Sequence, residues 1–380
     1  MNSEPLLLTP GPLTTSERVR RAMMRDWGSR DEDFIRLNAE VCERLLAIAG
    51  GRDRHVCVPV QGSGTFAVEA MIATLVPPGG RLLVLQNGAY GARMVEIARR
   101  YGRDVVVQED PEDRAHSPER LDQWLARDPA ITHVAVVHCE TTTGLLHPLE
   151  ELAAVVARRR RHLLVDAMSS FGALPLDVGR LPALAVAASA NKCLEGVPGL
   201  AFVIVEREAL MAAEGVCPSL ALDLAAQYRA MAENGQYRFT PPTHVLAALR
   251  EALLIHEEEG GVPGRGRRYR ENLRVLVAGM RALGFRTLLS DALQAPIIVT
   301  FLEPASPSWR FERFYDGLKG RGFTIYPGKL TRRPSFRIGC IGRVFPDDLR
   351  RAVAAVAEVL REMGVDDPKP EPERTMERPT

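Results

Sequence analysis

Between residues 56 and 205, short apolar runs alternate with stretches of helical period, and that alternation leaves few folds open to this chain. The apolar runs fall at 56–60, 82–85, 105–107, 133–138, 163–165, 184–187 and 201–205. Helix-patterned segments at 65–76, 91–101, 118–126 and 149–161 separate several of them. Strands and helices in this alternation predict stacked βαβ units, an α/β class chain with a large domain built on a mostly parallel, seven-stranded sheet. Several runs are apolar at every position, as in strands covered on both faces.

After about residue 243 the pattern changes. Two long helical stretches, 243–259 and 264–283, flank the turn signal Gly260-Gly261-Val262-Pro263. Strand-like segments follow at 296–301, 323–326 and 336–338, with helices near 311–320 and 347–363, which predicts a smaller α+β domain. The expected division is an N-terminal arm (1–14), a large domain (15–260), a small C-terminal domain (261–365) and a disordered tail (366–380). The tail is rich in Pro and charge and almost free of large apolar residues.

Composition removes several function classes. Lys plus Arg number 49 against 48 Asp plus Glu, a formal net charge of +1, without the basic excess of a dedicated nucleic-acid binder. Six scattered cysteines with no CxxC pair fit neither a zinc framework nor a disulfide scaffold, so no metal is expected. The N-terminus lacks a basic region before its apolar run, and no segment approaches the roughly 20 apolar residues of a membrane span. The expectation is a soluble cytoplasmic enzyme. Only four lysines occur (Lys192, Lys319, Lys329 and Lys369), so each invites the question of what arginine could not do there.

Three features carry chemistry. Gly62-Ser63-Gly64-Thr65 follows a strand and opens a helix, where free backbone N–H groups, two hydroxyls and the helix dipole favour an anion. A plain βα turn with a hydroxyl cap accounts for the same residues. Asp166 ends an apolar strand, on the side of the sheet where α/β proteins bind ligands; it suits a protonated ring nitrogen, a metal or merely a turn cap. Lys192 sits among small residues at the end of another strand, and partial burial there would lower its pKa and make it a nucleophile toward an aldehyde. Together the three are what pyridoxal 5′-phosphate requires: a cradle for its phosphate, a carboxylate for its ring nitrogen and an amine for its aldehyde. Tyr90, after another strand, is placed to cover a ring face. A nicotinamide oxidoreductase would need an acidic residue about 20 positions after the glycines, and Gln86-Asn87 stand at the end of the next strand instead.

Eight segments, among them LLLTPGPLTTS (6–16), QGSGTFAVEA (61–70), NGAYGARMVE (87–96), VDAMSSFGALPLD (165–177), SANKCLEGVPG (189–199), RFTPPTH (238–244) and FRIGCIG (336–342), resemble, in order, the 2-aminoethylphosphonate:pyruvate aminotransferases. These belong to the class V aminotransferases of pyridoxal-phosphate fold type I. The resemblance implies transfer of the amino group of 2-aminoethylphosphonate to pyruvate, giving phosphonoacetaldehyde and L-alanine, by a ping-pong route through pyridoxamine phosphate in a homodimer. It implies that Lys192 holds the cofactor aldehyde and shuttles the proton, and that Asp166 pairs with the ring nitrogen. Ser63, Gly64 and Thr65 would hold the phosphate, Tyr90 would stack on the ring, and Thr141 would lie near the ring oxygen. Thr240 would reach the phosphate from the partner subunit, and Arg337 would bind the acidic group of each substrate in turn. Cys340 stands where the family's segment carries Asn, which bears on the substrate wall. Alanine–glyoxylate and serine–pyruvate aminotransferases share this scaffold and remain the alternative; a cysteine desulfurase would need a mobile thiol, for which Cys193 and Cys340 look unsuited.

Overall fold

A computed structural model describes residues 4–51, 54–329 and 332–372. The large domain carries a seven-stranded sheet of β1 (His55–Gln61), β2 (Arg81–Gln86), β3 (Asp104–Glu109), β4 (Ile131–Val137), β5 (His162–Asp166), β6 (Ala185–Ser189) and β7 (Leu200–Glu206). Its spatial order is β1-β7-β6-β5-β4-β2-β3, and β7 alone runs antiparallel to both neighbours. Each expected apolar run falls on one of these strands, those at 133–138 and 184–187 overrunning it by a single residue. Leu82 and Val84 enter the core on one face of the sheet, Leu83 and Leu85 that on the other, so consecutive residues must both be apolar.

One face is covered by α1 (Glu32–Ala49), α4 (Pro118–Arg127), α5 (Leu149–Arg158) and α7 (Thr243–Glu258), the other by α2 (Gly64–Leu75), α3 (Ala89–Arg100) and α6 (Leu224–Asn234). Helix α2 lies deep enough that residues 70–75 are all buried, which explains its apolar character around the whole circumference.

The small domain holds the antiparallel sheet β8 (Ile298–Leu302), β10 (Ser335–Gly339) and β9 (Tyr326–Pro327), in the order β8-β10-β9. Helices α8 (Gly261–Ala282), α9 (Phe311–Gly320) and α10 (Pro346–Met363) pack on it around Phe285, Phe301, Trp309, Phe314 and Phe336. Helix α8 begins at Gly261, so the expected turn 260–263 shrinks to Gly260 in the left-handed region (φ 93°). Pro263 is tolerated because the first turn of a helix has no partner for its N–H. The N-terminal segment Leu6–Leu7 pairs in parallel with Phe323–Thr324, and Gly339 N–H donates to Leu8 O at 2.9 Å. At the other end, Pro368 is buried against Gly284 and Ala305 N–H donates to Lys369 O at 2.9 Å; the rest of the expected tail, 373–380, lies outside the described residues.

Candidate active site

The parallel strands of the large sheet end at one crevice, as α/β sheets do where they bind ligands. A cavity of about 270 Å³ lies there, lined by Ser63, Gly64 and Thr65 after β1, Tyr90 after β2, Thr141 after β4, Asp166 at the end of β5 and Lys192 after β6. Seven of the nine expected site residues therefore meet in one place.

Ser63 stands at the N-cap of α2 with an extended backbone, and its hydroxyl makes no cap bond within the helix. That hydroxyl and the first-turn N–H groups form the anion cradle expected of a helix N-terminus. Gly62 enters the turn at φ 129°, a conformation closed to other residues, and a Cβ there would meet the Phe66 ring at 2.6 Å. Thr65 Oγ1 accepts a 3.0 Å hydrogen bond from Arg93 Nη1.

Asp166 is only 4% exposed and accepts the Met168 N–H at 2.9 Å. Burial pushes its carboxyl up to about 6, against the pull of that N–H. Lys192 Nζ donates to Pro10 O at 2.6 Å, and burial brings its amine down to about 8. The turn that carries Lys192 is pinned from below. Glu195 N–H donates to Lys192 O at 2.9 Å, Gly196 N–H to Ala190 O at 2.8 Å, and Arg265 Nη1 to Cys193 O at 2.5 Å. Glu195, itself left-handed at φ 60°, accepts from Arg268 Nη2 and from the Tyr269 hydroxyl, both at 2.7 Å.

Tyr90 lies in the first turn of α3, whose start is docked on Glu140. This buried carboxyl accepts backbone N–H groups of Tyr90 and Gly91, the Thr142 N–H at 3.0 Å and the Thr142 hydroxyl. A Cβ at Gly88 would meet Glu140 Cδ at 2.4 Å, so glycine is what lets the helix come this close. Thr141 Oγ1 bonds Ser169 Oγ at 2.5 Å, and its carbonyl accepts Arg337 Nη1 at 3.1 Å. Arg337, buried on β10, also donates through Nε to Pro327 O at 3.0 Å, so it joins the cavity by way of Thr141 from the small domain.

Thr240 is the residue not brought in. It is exposed and lines a separate surface hollow with Gly62, Phe66 and Phe239, behind the turn that forms the cradle. Cys340 does not line the cavity either; it is buried in the small-domain core, with burial pushing its thiol up. The Cys193 thiol, pushed up to about 12 by burial, points at Ser169 O, 3.4 Å away.

Sequence reading missed several residues of the site. Arg93 lines the cavity and lies 5.0 Å from the Tyr90 ring centroid, three residues along the same helix; that i, i+3 spacing was the available signal. Glu140 gave no local signal, because its role depends on a helix 50 residues earlier. Ser169, Ser189 and Asn191 also line the cavity.

The residues present fit pyridoxal 5′-phosphate: a helix N-terminus with an unused hydroxyl, a buried carboxylate and an amine share one small cavity. Comparison with known proteins agrees. The family model for aminotransferase class-V matches residues 16–306. A 2-aminoethylphosphonate–pyruvate transaminase of Pseudomonas putida strain W619 is 56% identical over 365 residues, covering 96% of this chain and 99% of that protein. Among solved structures, an alanine–glyoxylate aminotransferase of Nostoc sp. superposes with a TM-score of 0.89 at 26% identity, covering 95% of this chain and 96% of that one. A pyridoxamine–pyruvate aminotransferase of Mesorhizobium loti superposes at 0.88 and 25%, covering 95% and 93%. The chain belongs to the class V aminotransferases, in the same family as the 2-aminoethylphosphonate–pyruvate transaminase it matches.

Proposed function

We propose that this protein is a pyridoxal 5′-phosphate-dependent aminotransferase that moves the amino group of 2-aminoethylphosphonate to pyruvate, giving phosphonoacetaldehyde and L-alanine, and that it works as a homodimer in the cytoplasm. The observation that carries the chemistry is the single cavity in which the α2 N-terminus, Asp166 and Lys192 converge. The choice of substrates rests on the 56% identity with transaminases of that specificity.

Bound in the cavity, the cofactor supplies an aldehyde that takes up an amino group and a ring that accepts the electrons of the adjacent carbon. The protein's residues do the rest. Ser63, Gly64 and Thr65 would hold the phosphate through hydroxyls and N–H groups, and Tyr90 would cover the ring. Asp166 would pair with the ring nitrogen and keep a proton there, since a cation beside it restores the charge that burial disfavours. Lys192, its amine brought down to about 8 by burial, would act as nucleophile and then move the proton at the substrate carbon. Thr141 would lie near the ring oxygen, and its carbonyl carries Arg337. The Arg337 fork takes the acidic group of donor and acceptor in turn, as one site serving two half-reactions requires.

Support for the dimer comes from the exposed Phe66 and Phe239 (48% and 52%) beside Thr240. A second subunit on that face would bury them and bring Thr240 of the partner subunit to the cradle. No helix among the described residues is long and apolar enough to cross a membrane.

The test is a half-reaction titration of the cofactor-loaded protein, read by visible absorbance. We expect 2-aminoethylphosphonate alone to convert the aldehyde form to the amino form, and pyruvate to restore it. If serine or glycine does this and the phosphonate does not, the donor assignment fails and the alanine–glyoxylate or serine–pyruvate alternative takes its place.

A further inference from the structure

Lys329 takes no part in the mechanism above, yet it stands beside Tyr90, a residue that lines the active cavity. It follows β9 in the segment Pro327-Gly328-Lys329, where Gly328 N–H donates to Ser335 O at 2.7 Å, and its Nζ lies 4.7 Å from the Tyr90 ring centroid. Strand β9 pairs with β10, placing Tyr326 opposite Arg337. The segment is tied across to the large domain where Arg332 N–H donates to both oxygens of Glu112, at 3.0 and 3.1 Å.

The corner is rich in positive charge. Burial, Arg93 and Arg337 all depress the Lys329 amine, and Glu140 alone works the other way. Glu140 is already engaged by Thr142 and by backbone N–H groups at the start of α3. Three crowded cations repel one another unless an anion answers them. Arg93 leans on Thr65 of the cradle, so its charge faces the cofactor phosphate. Arg337 and Lys329 are left for the substrate.

The two substrates differ in what they ask of that pair. A carboxylate offers two oxygens and one charge, which a single guanidinium fork satisfies. A phosphonate offers three oxygens and, like a phosphate ester with its second ionisation near pH 6, more than one charge at pH 7. A flexible ammonium is suited to the third oxygen and the extra charge. We propose that Lys329 is the residue that sets preference for the phosphonate donor: its ammonium and the Arg337 guanidinium grip the phosphonate together, whereas the acceptor carboxylate is gripped by Arg337 alone. This assignment rests on the function proposed above.

The experiment compares cofactor-loaded wild type, Lys329→Met and Lys329→Arg in the two half-reactions, 2-aminoethylphosphonate on the aldehyde form and pyruvate on the amino form. Loss of a charged hydrogen-bonding partner should raise the half-saturating concentration of 2-aminoethylphosphonate about tenfold to a hundredfold in Lys329→Met, with pyruvate moving by about threefold or less. Lys329→Arg, which keeps the charge, should recover most of the loss. Methylphosphonate as a competitor should weaken in parallel in Lys329→Met, while acetate should not. Equal weakening of both half-reactions, unchanged affinity for 2-aminoethylphosphonate in Lys329→Met, or an arginine variant as impaired as the methionine one would each overturn the assignment. A wild-type protein that ignores 2-aminoethylphosphonate but responds to another donor would instead overturn the proposed function, and is seen before any variant is compared.

Discussion

Burial raises the Asp166 carboxyl from its ordinary 3.8 to about 6, and this sets what a change there should do. A raised carboxyl costs stability wherever it must ionise: the burden is absent below about 3.8 and complete above about 6. Two pK units correspond to about 3 kcal/mol at pH 8 and about half that at pH 5. Cofactor-free Asp166→Asn should therefore resist urea better than the cofactor-free wild type by up to about 3 kcal/mol at pH 8, less at pH 5, while holding the cofactor more weakly. A gain that does not shrink toward pH 5 would show that ionisation is not its source. Lys192 was legible because the chain has so few lysines and because small residues at a strand end imply a confined amine. Arg93 was not, since forty-five of the 49 basic residues are arginine and one more carries no contrast.

Strands and helices were legible wherever both sides of an element are buried, because burial writes a continuous apolar run that needs no partner to be seen. Helix α1 was missed although its buried residues Phe34, Leu37, Val41, Leu45 and Ala49 keep helical spacing, because charged residues fill the intervening positions and no strand precedes it. The direction of β7 was not legible either, since an antiparallel strand buried on both faces has the same composition as a parallel one. At this scale the docking of α3 on Glu140 makes its own prediction. Glu140→Ala strands buried N–H groups of Thr142, Tyr90 and Gly91 and should cost about 3 kcal/mol in urea unfolding. It should also weaken cofactor binding, because Tyr90 rides on that helix turn; Glu140→Gln, which keeps an acceptor, should lose less. An alanine variant as stable as wild type would mean the carboxyl is not what seats α3.

Over the whole molecule, a buried set of charges joins the two domains beneath Lys192. Arg268 donates to Glu195 and Glu259, both at 2.7 Å, and to the carbonyls of Gly342 and Val344 at 2.6 and 2.9 Å; Arg265 donates to Glu259 at 2.6 Å. Burial raises the Glu259 carboxyl, but Arg268 and Arg265 prevail and hold it at about 2, so its contribution is present above the ordinary 4.5 and fades as pH falls toward 2. Arg268→Met should cost up to about 3 kcal/mol by taking from Glu195 and Glu259 one of the two arginines that face them, and should move acid unfolding to higher pH. Unchanged acid stability would remove the network from that role. Thr240 could be named only through resemblance, because the role expected of it, a contact across two subunits, leaves no spacing within one chain to read. The N-terminal arm touches both ends of this story. It pairs at Leu6–Leu7 with Phe323–Thr324, continues to Gly339 and Arg343, and offers Pro10 O to Lys192. Its small-domain partners are translated some three hundred residues after it, so on the ribosome the first segment to emerge is among the last to be seated. Until those late residues arrive nothing seats the segment that carries Pro10, and the Lys192 amine of a nascent large domain lacks the acceptor it has in the finished chain.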